Sequence, residues 1–204
     1  MQIRDSVVFV TGANRGIGLV FAQELLAAGA RKVYAAARNP EGIPLSGIER
    51  VRLDVTNPQA VTSAAKASGD VNLLINNAGI ARSTGFLAPE SVEAARAEME
   101  TNYFGPLFLS RAFAPVLAKN GGGAIVNVLS ILSWVAVPAA GTHSASKSAA
   151  WALAADGLAR SGNSGPGCTC RSRGHGHGER PDSSESDAGR SSSAGTERTR
   201  SRQR

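Results

Sequence analysis

Two stretches of this chain carry groups suited to chemistry. The first is Thr11-Gly12-Ala13-Asn14-Arg15-Gly16-Ile17-Gly18, which follows a short apolar run. Glycines at this spacing let the backbone turn tightly and approach a pyrophosphate, whose charge the N-terminus of a following helix would meet. The order is Gly-x-x-x-Gly-x-Gly, not Gly-x-Gly-x-x-Gly. A glycine loop alone also suits an ordinary tight turn, and it is the strand–loop–helix setting that points to a dinucleotide. The second stretch is Gly141-Thr142-His143-Ser144-Ala145-Ser146-Lys147-Ser148-Ala149-Ala150. His143 and Lys147 stand four residues apart and so share one helix face. An imidazole can act as a general acid or base near neutral pH.

The elements that must position these residues can be read from periodicity. Short β-branched runs alternate with longer helical patterns, which predicts parallel strands joined by right-handed crossovers in a doubly wound α/β sheet. Strands are expected at 7–10, 32–36, 51–53, 71–75 and 125–129. A helix over 16–28 would bury Leu19, Val20, Leu25 and Leu26 and stop at Gly29. Pro58 opens a weak Ala-rich helix ending near Gly69. Ser91 is the expected N-cap, with Glu93 in the first turn, of one long helix running to about Ala118. A helix over 144–158 follows the fifth strand.

In this order the motifs resemble the short-chain dehydrogenase/reductase family over residues 1 to about 158. The glycine loop is joined by Asn76-Asn77-Ala78-Gly79 after the fourth strand, Leu53-Asp54-Val55 after the third, and Thr101-Asn102-Tyr103-Phe104-Gly105 in the long helix. A strand ending in Ser130, then a helix with Lys147, completes the set. The resemblance implies that Gly12, Asn14, Arg15, Gly16, Ile17 and Gly18 hold the pyrophosphate side of the cofactor. Asn77, Ala78 and Gly79 would line the adenine ribose, and Asp54 and Val55 the adenine. Ser130 would hydrogen-bond a substrate carbonyl, Asn102 would hold a water of the proton relay, and Lys147 would bind the nicotinamide ribose. The reaction implied is hydride transfer between a nicotinamide dinucleotide and a small carbonyl or alcohol. Relatives commonly pair the helices holding Asn102 and Lys147 across a two-fold axis, so a homodimer is implied as an option.

One position departs from the family. The catalytic tyrosine is replaced by His143. Its ring is shorter than a phenol, and a misplacement of about 1 Å can cost on the order of 10²-fold. The Lys147 charge on the same face would also oppose an imidazolium. Weak or absent turnover is therefore expected, leaving a dinucleotide-binding pseudoenzyme or a truncated product without function as alternatives. Cofactor choice follows from charge. The second strand ends Ala35-Ala36-Ala37-Arg38 without an acid that would repel a 2′-phosphate, and Arg15 lies in the glycine loop, so NADP(H) is preferred to NAD(H). Leu132, Trp134 and Val137 suggest an apolar substrate wall or simple packing.

Composition divides the chain. Residues 161–204 contain no Val, Ile, Leu, Met, Phe, Tyr or Trp. Such a segment cannot bury enough apolar surface to offset its ordering entropy and is expected to be a disordered Arg/Ser/Gly-rich tail behind a domain at 1–160. The family's sixth and seventh strands have no counterpart there, which suggests an out-of-frame message or, alternatively, a genuine low-complexity tail. The net charge of +6 splits equally between the two parts, so no nucleic-acid footprint marks the body. Cys168, Cys170, His175 and His177 are too closely spaced for a zinc site, and no metal is expected. The N-terminal apolar run is too short for a signal peptide or membrane span, which points to a cytoplasmic location.

Overall fold

The computed structural model describes residues 2–82 and 84–160, with side chains described up to residue 154. The expected tail and its cysteines and histidines lie outside these residues. Five strands, β1 (Val7–Thr11), β2 (Lys32–Ala37), β3 (Glu49–Arg52), β4 (Leu73–Asn76) and β5 (Ala124–Asn127), form one parallel sheet in the order β3-β2-β1-β4-β5. The doubly wound arrangement read from the alternating pattern is therefore present. The strand order reverses at β1, whose two neighbours are β2 and β4. In sheets of this kind the ligand crevice lies at such a reversal, beyond the carboxyl ends of the strands.

The central strand shows why the sheet is sandwiched. All of Val7–Thr11 is buried, and alternate side chains enter opposite cores. Val7 and Phe9 face a cluster with Val61, Leu74, Leu109, Phe113 and Leu117. That cluster joins α2 (Pro58–Ala67) and α4 (Gly105–Lys119) to the sheet. The Phe9 and Phe113 rings lie 4.7 Å apart. Val8 and Val10 face the other cluster, with Ala22 and Leu25 of α1 (Gly16–Ala27) and with Val33, Ile43 and Ile75. The last helix, α5 (Gly141–Arg160), packs along α3 (Ser91–Met99) and against a short 3-10 turn at Ile131–Ser133.

Several local expectations are corrected. β3 begins two residues early, at Glu49, and ends before Leu53. It pairs with β2 through the register Tyr34↔Glu49. An edge strand is fixed by its ladder and does not need apolar side chains to form. β4 begins at Leu73 and not at 71, β5 ends at Asn127, and α5 starts three residues early, at Gly141. Within α1, Val20 is exposed, and the tightly buried residues are Gly18, Ala22 and Leu25. Ser91 does not cap α3. Its amide already bonds to Ala88 O at 3.0 Å, and Ala94 N bonds to Glu90 O, so Glu90 occupies the cap. The long helix runs on to Lys119 as expected, but it is not α-helical throughout. A π turn at Glu100–Phe104 separates α3 from α4.

Candidate active site

At the crevice, the end of β1 is bound to the end of β4. Thr11 Oγ1 accepts from Asn77 N and Ala78 N, both at 3.0 Å, and donates to Ile75 O. The Asn77 side-chain amide donates to Thr11 O at 2.8 Å and to Gly12 O at 3.4 Å. These bonds press the β4 loop against the glycine loop so closely that only glycine fits there. A Cβ on Gly18 would lie 2.3 Å from Gly12 O and 2.4 Å from Asn77 Nδ2. Gly12 and Gly16 adopt φ of +67° and +56°, the left-handed region that glycine tolerates.

Asn14, Arg15, Gly16 and Ile17 are exposed on this loop. The α1 N-terminus has no side-chain cap and no acid in its first turn. Its amide donors and positive dipole end thus meet no capping side chain and no first-turn acid among the described residues, which suits a dinucleotide pyrophosphate. Farther along the crevice, Arg38 is exposed beyond β2. Asp54, beyond β3, accepts from Thr56 N at 3.0 Å and from its hydroxyl at 2.8 Å. Those bonds, with a smaller contribution from the Arg38 charge, hold the Asp54 carboxyl below the usual carboxylate range. Val55 is buried in the core, where its side chain fills the space beside Gly105.

The other expected residues gather on the far side of β4. Asn102 lies in the π turn and is 2% exposed. Its Oδ1 accepts from Ile80 N, and its Nδ2 donates to Ile80 O and Ser146 Oγ, each at 2.9 Å. Ser146 in turn donates to His143 O at 2.8 Å. Lys147 Nζ donates to Val128 O at 2.9 Å. Burial alone holds this ammonium below lysine's ordinary range. A Cβ on Gly79 would lie 3.1 Å from Asn102 Oδ1 and 3.5 Å from Lys147 Nζ, so Gly79 brings backbone between the two.

His143 and Ser130 are set differently. His143 Nδ1 stands 3.1 Å from Ile80 O, and Ser130 Oγ accepts from Leu132 N at 3.2 Å. Among the described residues no hydrogen bond joins Ser130 to His143 or Lys147. Trp134 is 60% exposed and meets Trp151 edge-on at 6.4 Å, and Val137 is also exposed. The sequence reading missed Thr11, Ile80, Val128 and Ser146, all of which act here through backbone or a small hydroxyl. It also missed Glu98, which is fully buried, with Oε1 3.8 Å from His143 Nδ1. A signal for Glu98 existed. It falls between Ala94 and Asn102 at four-residue steps, placing an acid on the buried helix face.

Parallel strands reversing order at β1, an uncapped helix behind a glycine loop, and a lysine-bearing helix across the crevice define an α/β dinucleotide-binding architecture. The short chain dehydrogenase family model matches residues 6–162, and the chain belongs to the short-chain dehydrogenase/reductase family. A dehydrogenase/reductase SDR family member 7B from Xenopus tropicalis is 35% identical over 170 residues, covering 74% of this chain and 54% of that protein. The chain spans about half the length of the curated relatives it matches. Among solved structures, a short chain dehydrogenase from Burkholderia cenocepacia J2315 in complex with NADP is 46% identical, with a TM-score of 0.78 over 83% of this chain and 71% of that one. A short chain dehydrogenase/reductase from Burkholderia phymatum in complex with NAD is 31% identical, with a TM-score of 0.74 over 83% and 65%.

Proposed function

We propose that residues 1–160 bind a nicotinamide dinucleotide, NADP(H) in preference to NAD(H), and that carbonyl/alcohol oxidoreduction by this chain is strongly impaired. The observation that carries the reading is the contrast between the two halves of the crevice. The glycine loop, the uncapped α1 N-terminus and the Thr11–Asn77 bonding suit a dinucleotide, whereas the position of the expected tyrosine holds His143. Gly12 to Gly18 would hold the pyrophosphate, Asn77 to Gly79 the ribose, and Asp54 and Val55 would border the adenine. Arg15 and Arg38 would take a 2′-phosphate through charge-assisted hydrogen bonds, a reading in keeping with the NADP complex of the 46% identical relative.

The bound dinucleotide would supply or accept the hydride. Ser130 would orient the carbonyl once its hydroxyl turns from Leu132 N, Lys147 would hold the nicotinamide ribose, and Asn102 would fix the Ile80 backbone and a water beside it. His143 is the proton-transfer group. The substrate would be a small carbonyl or alcohol, and the working form a cytoplasmic homodimer without a nucleic-acid or membrane partner. A pseudoenzyme that binds dinucleotide without turnover is the second reading, favoured by Ser130 and His143 each bonding to backbone and not to one another.

The test combines a fluorescence titration of the full chain with NADPH and NADH and a carbonyl-reduction assay before and after His143→Tyr. The expected result is tighter NADPH binding, lost on joint replacement of Arg15 and Arg38 by Ala, and a rate at least about 10²-fold higher with Tyr. Equal rates before and after His143→Tyr would sink the impairment. Failure to bind either dinucleotide would sink the cofactor reading.

A further inference from the structure

We infer that Arg50, by clamping the connection between β2 and β3, positions Arg38 and so sets the preference for a 2′-phosphorylated dinucleotide. This role rests on the NADP(H) reading above and adds a residue that acts on the ligand only through another side chain.

Parallel neighbours such as β2 and β3 are usually joined through a helix, which holds its own backbone by internal hydrogen bonds. Residues 38–48, which join them here, contain no helix. Much of what holds them comes from other segments. Ile43 is 2% exposed and packs into the cluster with Val8, Val33 and Ala35, and Leu45 and Ile48 lie against that cluster. Within the connection, Ile43 N donates to Pro40 O and Leu45 N to Ile43 O. The clamp comes from β3. Arg50, opposite Ala35 in the ladder, donates from Nη2 to Ile43 O at 3.0 Å and to Leu45 O at 3.1 Å. One guanidinium nitrogen thus gathers the two carbonyls that flank Pro44, through charge-assisted bonds.

Arg38 opens this connection. On its strand side the backbone is fixed, because Ala37 O accepts from Leu53 N at 2.9 Å. On its other side the chain runs through exposed Asn39 to Pro40, whose carbonyl is tied to Ile43 N, and so to the carbonyls that Arg50 holds. Without the clamp, the turn that follows Arg38 loses its tie to β3. The glycine loop is held separately, with Ala13 N donating to Ala36 O at 3.1 Å. In the binding mode proposed above, Arg38 meets only the 2′-phosphate, a group that NADH lacks. Contacts common to both dinucleotides come from Gly12 to Gly18 and Asn77 to Gly79, outside the connection. The clamp therefore bears on NADPH alone. Arg50 touches no part of the ligand in this scheme and is a positioning residue.

The test is fluorescence titration of the full chain with NADPH and with NADH. It compares the native chain, Arg50→Ala, Arg50→Lys, Arg38→Ala and the double variant Arg38→Ala/Arg50→Ala. Arg50→Ala should lower the ratio of NADPH to NADH affinity by about 10-fold, the worth of one charge-assisted hydrogen bond. NADH affinity should stay unchanged, which also shows that the variant is folded. Arg50→Lys keeps a cationic donor and should restore most of the ratio. In the Arg38→Ala background, the further loss of Arg50 should leave the ratio as it is, because Arg50 acts through Arg38. An equal drop in both backgrounds would reveal a bare charge effect and overturn the inference. A ratio that survives Arg50→Ala, or an NADH affinity that falls in step with that for NADPH, overturns it too. A native chain with no preference for NADPH refutes the cofactor reading itself, and the role of Arg50 with it.

Discussion

Replacing Gly18 by Ala probes whether the crevice is as tightly built as its bonding indicates. Gly18 is the third residue of α1, and in an unconstrained helix Gly→Ala stabilises by about 1 kcal/mol through backbone entropy and propensity. Here the new methyl would lie 2.3 Å from Gly12 O, 2.4 Å from Asn77 Nδ2 and 2.8 Å from Gly12 C. Two of those atoms are backbone, and the third is held by its bond to Thr11 O, so no rotamer change relieves the overlap. Overpacking costs typically about 1–3 kcal/mol, and rigid neighbours place this site at the upper end. Set against the helix gain, the net loss is about 2 kcal/mol. For a folded body of this size that corresponds to a fall in Tm of roughly 4–8 °C. Relief would push α1 or the Asn77 loop outward, so NADPH affinity should fall as well. Thermal unfolding and NADPH titration of Gly18→Ala measure both effects. Gly16→Ala is the control. It meets nothing within 4 Å, but its φ of +56° costs about 1–2 kcal/mol of strain. A Gly18→Ala chain that unfolds at the native temperature and binds NADPH unchanged would refute this account of the crevice.

Two further outcomes follow from the bonding. Asn102→Ala removes three hydrogen bonds around Ile80 and Ser146 and leaves the partly buried Ile80 amide without its partner, a loss of about 1–3 kcal/mol in urea unfolding. At the other end of the sheet, burial raises the Asp70 carboxyl pKa, but hydrogen bonds from Lys32 (2.6 Å) and Tyr34 (2.8 Å) outweigh it and leave it below the ordinary value. An acid depressed in the folded state stabilises it above the unfolded pKa and loses that contribution as pH falls through the folded value. The stability gap between the native chain and Asp70→Asn should therefore be present at pH 7 and close in acid, and a gap that persists at low pH would contradict the linkage.

Much of this protein was legible from local signals. The run at 7–10 followed by glycines announced β1 and the α1 entrance, because strand propensity and left-handed turns depend on neighbouring residues alone. Pro58 and Gly29 marked helix limits for the same reason. The polar edge strand β3 was misplaced because its extent is set by hydrogen bonds to β2, which a hydrophobic pattern does not record. The π turn was missed because Asn102 bonds to Ile80, 22 residues earlier in sequence, and no helical period encodes that contact.

The residues of the crevice were determined by sequence, from the glycine loop through Asn77 to Lys147, and so was the substitution of His143 for tyrosine. Which groups those residues touch was decided only by the tertiary structure. The pairing of the sheet brings Thr11 to Asn77, and the packing of α3 on α5 brings a buried carboxylate to the histidine ring. A chain pattern records what each residue is, but the setting of His143 depends on acceptors that come from two other segments. Hydrogen bonds and charges act through space, and only folding fixes those distances.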